Sequence, residues 1–351
     1  ADLRHDVVST HALMRPAVMQ LQRWGLLDAV VASGAPPIRS INFHYDGATV
    51  TVPVKPSNGI DALYAPRRTV LDPIVAAAAG DAGATTRFGA KLVGVLRSPS
   101  GSISGAEIVE RSGRRRTVAC RLLIGADGRN STVARLCASP VTRVGRSAMA
   151  FAYAHVPAPP GESYEWHYVP GLTAGVIPTN ADRACVFVGT SPERFDAQLR
   201  ADPVDGFRRL LGEVAPAVAA AIDPYEPMQL RIFSGAVGFY RRCQGDGWAL
   251  VGDAGYFKDP TTAHGITDAF LDAELLAAAV VASLGDSDDH ALERYESERD
   301  VSTERLFDVT DEIAGLAWDI DRLRDLHLDL SAELSRESRL VAGGVSLVSE
   351  R

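Results

Sequence analysis

Apolar residues recur at helical spacing between Ala17 and Val31, with Val18, Leu21, Trp24, Leu27 and Val30 on one side and Pro16 where a first helical turn tolerates proline. This pattern predicts one helix. From Ile38 to Val54 the period shortens to two, with Ile41, Phe43 and Tyr45 on one face and a break at Asp46-Gly47, which predicts a hairpin that joins strands formed later in the chain. Arg68-Thr69-Val70-Leu71 opens an alanine-rich helix to about Ala82. Thr85 to Leu96, Ser104 to Glu110 and Arg115 to Leu122 then read as a three-stranded meander, and Leu122-Leu123-Ile124 runs into Gly125-Ala126-Asp127-Gly128. Between Arg143 and Phe239 the texture is alternating: strands are expected at Met149 to His155, Ser163 to Tyr168, Thr173 to Ile177, Ala184 to Gly189 and Met228 to Val237, with a helical stretch from Pro203 to Ala221. The chain returns to a core strand at Trp248 to Val251 and a helix from Gly265 to Leu284. Asp288 to Leu330 is helical and charged, and Ser331 to Arg351 has little pattern.

These periods give an α/β protein in which a second, sheet-based unit interrupts the first. A length of 351 residues leaves room for a substantial core, and 46% hydrophobic with 23% charged residues is the composition of a soluble globular protein. No apolar run approaches the ~20 residues of a membrane-spanning helix. A net charge of -8 repels nucleic acid, and the basic cluster Arg114-Arg115-Arg116 reads as a solvated hairpin edge. Cys120, Cys137, Cys185 and Cys243 form no C-x-x-C pair, so spacing signals neither a disulfide framework nor a zinc site, and reduced cytoplasmic thiols are expected.

The chemistry concentrates in two places. Trp248 to Ala254 is a strand that ends on Gly252-Asp253, followed by Asp259-Pro260 and by His264-Gly265-Ile266 at a helix mouth. A carboxylate at a strand's end accepts hydrogen bonds from a sugar-like chain, while the unpaired N–H groups of a helix start favour an electron-rich ligand. Together they suit a large polar cofactor. The other place is Gly125-Ala126-Asp127-Gly128, which alone reads as a tight turn whose Asp accepts backbone N–H bonds; its continuation through Ser131 and Arg135 turns the reading toward a ligand. His155, Tyr164, Trp166, His167 and Tyr168 read more economically as alternating residues filling a sheet face than as a pocket.

From about Leu13 to Leu284 this series resembles the FAD-dependent monooxygenases and oxidoreductases of the p-hydroxybenzoate hydroxylase type, in their geranylgeranyl reductase and halogenase-like branch. The resemblance implies a Rossmann-like FAD-binding domain (1–37, 66–142 and 240–287), an inserted β-sheet substrate domain (38–65 and 143–239) and a helical C-terminal region (288–351). It implies that Asp253, after Gly252, binds the ribityl chain, that amides around His264, Gly265 and Ile266, after Pro260, face the pyrimidine end of the flavin, and that Asp127 and Gly128 border the cofactor. Arg15 and Arg68 match positions from which relatives direct an Arg toward FAD, with a surface ion pair an equal alternative.

One departure stands out. No G-x-G-x-x-G loop occurs, and the first residues resemble the region after a second strand, so one strand-helix-strand unit of roughly 30 or more residues is expected to precede them; Asp2 is not assigned to the acid that would close it. Thr173-Ala174-Gly175-Val176-Ile177-Pro178 lacks both tryptophans of the halogenase W-x-W-x-I-P motif, and Gly255-Tyr256-Phe257 leans toward the reductase branch. The activity implied is an NADH- or NADPH-using monooxygenase that hydroxylates a small apolar or aromatic substrate through a flavin C4a-hydroperoxide. A flavin-dependent reductase of isoprenoid or other unsaturated chains, and a cofactor-free protein without activity, are the alternatives; a homodimer is compatible with either enzyme.

Overall fold

Asp46 and Gly47 both take positive φ, 37° and 90°, the turn whose twist matches that of paired strands. The expected hairpin accordingly forms as β1 (Ser40–Tyr45) and β2 (Ala48–Pro53). In the computed structural model, which describes residues 8–157, 161–285 and 288–343, this hairpin follows α1 (Arg15–Arg23) and α2 (Leu27–Ala32) and precedes α3 (Arg68–Asp81). The meander is β3 (Ala90–Arg97), β4 (Ile103–Glu110) and β5 (Arg115–Ala119); β6 (Leu123–Gly125), α4 (Thr132–Leu136) and β7 (Val141–Val144) come next. The alternating region holds β8 (Ala150–Pro157), β9 (Ser163–Val169), β10 (Leu172–Thr179) and β11 (Arg183–Thr190), then α5 (Pro192–Leu199), α6 (Pro203–Val214), α7 (Pro216–Ala221) and β12 (Arg231–Phe233). Last are β13 (Phe239–Arg241), β14 (Gln244–Gly245), β15 (Trp248–Leu250), β16 (Tyr256–Phe257), α8 (Gly265–Gly285), α9 (Ala291–Ala314) and α10 (Ile320–Gly343).

Two expectations need correction. The first helix is two: Gly25, at φ 71°, ends α1, and α2 restarts at Leu27, so Trp24 lies at the break and sets its ring edge-on to Phe270. The tail is also more ordered than its pattern suggested, since α10 continues through Ser331 to Gly343; Asp2 and residues 344–351 lie outside the described residues.

The early hairpin joins the later strands in a seven-stranded sheet of order β12-β8-β11-β10-β9-β1-β2, antiparallel except where β1 runs parallel to β9. Alternation divides its side chains between two cores. Ala150, Ala152, Ala154, Val186 and Val188 pack under Phe207, Leu210 and Leu211 of α6. Phe151, Tyr153, Tyr164, Trp166, Tyr168 and Phe187 point the other way, into a core closed by α1 and the C-terminal helices. Tyr164, Trp166 and Tyr168 therefore fill a sheet face, as the alternation implied, whereas His167 faces outward and stacks on His44 with centroids 4.2 Å apart. Among the described residues, no helix is long and apolar enough to cross a membrane, and no cysteine is joined in a disulfide.

Helix α10 is fixed to the aromatic face by a polar contact. The hydroxyl of Tyr45 lies 2.6 Å from Nδ1 of His327, and both side chains are buried. Burial lowers His327 to about 4, while an unfolded histidine titrates near 6.5. Between these values only the unfolded chain takes up the proton, so stability contributed by this group is present above about 6.5 and lost as pH falls toward 4. The difference in unfolding free energy between the natural protein and His327→Asn, from denaturant melts at pH 7 and pH 4, is expected to shrink by roughly 3 kcal/mol. A difference that stays constant with pH would refute this assignment.

Candidate functional site

Strands β6 and β15 lie side by side and parallel, pairing Leu123 with Trp248, Ile124 with Ala249 and Leu250 with Gly125. The amide of Val251 continues the ladder to the carbonyl of Gly125 at 3.0 Å. Both strands thus end at the same edge, and the two glycine-acid turns, separated by over a hundred residues of sequence, leave it together. Beyond β15, Gly252 turns the chain at φ 57° into a short 3₁₀ turn that carries Asp253. Its amide is held by Asp272 of α8 at 2.6 Å, and the Tyr295 hydroxyl is shared between Asp272 and the carbonyl of Leu250.

The two acids differ. Asp127 accepts from the Ser131 hydroxyl at 2.5 Å and from the amides of Thr132 and Val133 at 2.6 and 3.2 Å, while Ser131 itself caps α4 through the amide of Ala134. The carboxylate of Asp127 is a helix-capping group. That of Asp253 has no hydrogen bond among the described residues. Burial raises its pKa, and the charges of Lys258, Arg129 and Arg68 oppose the shift. Gly128, at φ 75°, has open space where a Cβ would sit, and so does Gly265 at the exposed start of α8.

The remaining expected residues distribute as follows. Arg68 grips Asp72 through two bonds of 2.6 and 3.0 Å and begins α3. Arg15 donates to the carbonyls of Lys55 and Ile60, at 2.7 and 3.2 Å, and so ties down that loop. Pro260 starts a 3₁₀ turn braced by Asp259, which accepts from the amides of Thr261 and Met149 at 2.9 and 2.8 Å and is pushed by burial up to about 7. Ile266 packs against the main core. His264 is fully buried, and its Nε2 lies 2.7 Å from Glu337 of α10.

Around His264 the structure gathers a charge cluster. Lys258 contacts Asp268, His264 contacts Glu337, and all four side chains are buried. Burial lowers Lys258 to about 7, against the pull of Glu337 and Asp253. Burial also lowers His264, opposed by Glu337, and the neighbouring cations hold Glu337 below the usual range. A cavity of about 430 Å³ between α8, α9 and α10 reaches this cluster at Asp268 and Glu337.

Residues 10–310 match the family model described as FAD binding domain. The chain belongs to this FAD-binding family. It is accordingly a flavoprotein of the FAD-dependent oxidoreductase class. No curated protein matches it. Among solved structures, the flavoprotein is similar to PqsL, described as a probable FAD-dependent monooxygenase from Pseudomonas aeruginosa, at 22% identity and a TM-score of 0.70, over 95% of this chain and 90% of that one. It is also similar to the flavin-dependent brominase Bmp2, at 17% identity and TM-score 0.76 over 88% and 78% of the two chains, and to the myxobacterial chondrochloren halogenase CndH, at 18% identity and TM-score 0.73 over 97% and 89%.

Arg129, Lys258 and Glu337 were not singled out from the sequence of the flavoprotein. Arg129 follows the expected turn directly and lies over the rings of Phe233 and Phe257, 5.2 and 5.4 Å from their centroids; its adjacency to Gly128 was the available signal. A lysine within the Gly255-Tyr256-Phe257 neighbourhood was another. Removing one member of a buried ion pair strands the other in a medium that solvates it poorly. Glu337→Ala is expected to lower unfolding free energy by about 3–5 kcal/mol, read from denaturant midpoints at unchanged slope; a loss under about 1 kcal/mol would mean that the cluster does not hold α10 in place.

Proposed function

We propose that this flavoprotein is an NADH- or NADPH-using monooxygenase that hydroxylates a small apolar or aromatic molecule. The observation that carries the reading is the carboxylate of Asp253, without a hydrogen bond among the described residues and subject to the positive charge of Lys258, Arg129 and Arg68, in a turn packed on α8. These residues fit the flavin half of FAD. Asp253, after Gly252, would accept from ribityl hydroxyls; the amides at Gly265 and Ile266, with Pro260 and His264 shaping the approach, would hold the pyrimidine end; Arg68 and Arg129 would serve the diphosphate, with Arg15 bracing the neighbouring loop. Asp127 and Gly128 form the opposite rim. The sequence holds no G-x-G-x-x-G loop to cradle the diphosphate with amides.

When bound, FAD supplies the two-electron redox chemistry and the activation of dioxygen. The chain's own residues position and insulate. The N-terminal turn of α8 would offer partial positive charge to an anionic, reduced flavin. Residues 1–37, 66–142 and 240–287 then serve the cofactor, 38–65 and 143–239 the substrate, and 288–351 the closing helices, in a cytoplasmic enzyme. The name of PqsL supports oxygen transfer. Bmp2 and CndH are halogenases by name, but the W-x-W-x-I-P tryptophans have no counterpart along β10.

FAD titrated into the purified chain is expected to bind with quenching of its fluorescence. Asp253→Ala should weaken that binding about 10- to 100-fold, the worth of a hydrogen bond to a charged group. Asp127→Ala should cost about 1 kcal/mol of stability through the lost cap while leaving affinity within a few-fold. Oxygen uptake matched by a hydroxylated product, with NADH or NADPH oxidised, supports the monooxygenase; product formation without oxygen uptake replaces it with the reductase, and absence of FAD binding defeats both.

A further inference from the structure

Away from the Asp253 turn, two neighbouring strands and the segment before α1 bring together three soft donors. Cys185 on β11 stands opposite His155 on β8 in the antiparallel register, so both side chains leave the same face of the sheet. His11 reaches them from a backbone held at φ 50°, a left-handed conformation that a non-glycine residue keeps only where its surroundings enforce it. Those surroundings are visible: the amide of Ser9 donates to the Tyr153 hydroxyl at 2.9 Å, and Leu13 pairs with Tyr64. His11 and Cys185 are 2% and 0% exposed. The donor atoms of all three residues lie within 4.8 Å of one another, with the two imidazole Nε2 atoms 2.9 Å apart and the rings nearly coplanar.

His11 is protonated as a ligand would be, while its 2.9 Å contact makes the Nε2 of His155 the N–H donor, a proton that leaves this nitrogen when a metal takes its place. Nδ1 of His11 lies 3.2 Å from the carbonyl of Ala65, and a carbonyl pairs only with an N–H, so the proton of neutral His11 sits on Nδ1 and the lone pair on Nε2 faces His155. A backbone carbonyl behind the distal nitrogen is the usual outer support of a metal-binding histidine. Thr179 fixes that same carbonyl with a hydroxyl bond of 2.6 Å. Tetrahedral zinc needs its nitrogen ligands about 3.4 Å apart, an opening of about half an ångström from the observed pair.

We propose that His11, His155 and Cys185 form a zinc(II) site that clamps the N-terminal segment to the sheet, with water as fourth ligand. Two other clusters compete for this reading and serve it less well. His264, Asp268 and Glu337 already have the ammonium of Lys258 as their cation. His44, Glu165 and His167 are half-exposed on the outer face, where His44 pairs with Glu165 at 2.7 Å, and they offer no thiolate.

Cobalt(II), a spectroscopic substitute for zinc, distinguishes them because only a thiolate ligand gives an intense sulfur-to-cobalt charge-transfer absorption. One equivalent added to the chelator-treated full chain is expected to produce that band, and zinc to abolish it by displacement. Cys185→Ser, checked for native circular dichroism, should lose the band even if cobalt still binds the outer cluster. Should that variant not fold, His155→Ala serves in its place, with affinity expected to fall by more than the roughly 100-fold that loss of an outer support costs. No band in the natural chain, or an unchanged band in Cys185→Ser or in His155→Ala, overturns the proposal.

Discussion

The parallel pairing of β6 with β15 is the constraint on which the site depends. It is short, three residues on each strand, yet its register decides which atoms leave the sheet edge together. A parallel ladder sends both chains out at the same end, so each strand delivers its turn to one place, and the intervening hundred and more residues can build a separate sheet without disturbing the meeting. Asp272 reinforces the junction from below by holding Gly252, with Tyr295 behind it. Burial raises Asp272 to about 6, and its contacts show why the group is kept: one oxygen accepts from the Gly252 amide just past β15 and the other from the Tyr295 hydroxyl of α9.

Much of this architecture is legible in the residues themselves because local rules act there without competition. Asp46-Gly47 fixes a hairpin by its turn chemistry, and the strict alternation at Tyr164, Trp166 and Tyr168 can only mean one buried face. The strand ending at Gly252-Asp253 and the helix starting at Gly265 are legible for the same reason, while the short β16 and the turn at Pro260 between them are not. Failures occur where a residue contradicts its own stripe. Gly25 cuts an otherwise continuous apolar period. In α10 the core-facing positions Leu323, Leu326, Leu330 and Val341 continue the period, but one place on that side is filled by Glu337, an acid buried to 3% exposure, and the stripe vanishes to the eye.

Other features have no local signature at all. The cations around Asp253 come from α3, from the loop after β6 and from the segment after β16, and only the folded chain shows that they converge. The same is true of His11, His155 and Cys185. Sequence spacing finds metal sites whose ligands sit within one turn or hairpin, whereas these are joined by cross-strand register and by a strained segment laid over it. The acid at Asp127 illustrates the reverse case: its motif resemblance points to a ligand, while its hydrogen bonds are spent on the first turn of α4.

Helix α10 touches both halves of the molecule, through His327 against Tyr45 of the sheet and through Glu337 against His264 at the mouth of α8. The second of these partners is synthesised 73 residues after the histidine it holds. While the chain is still on the ribosome, the start of α8 therefore carries two basic groups, Lys258 and His264, with one of their acidic counterparts yet to be made. Closure of this charge cluster therefore waits for α10, the latest in sequence of the elements that build it.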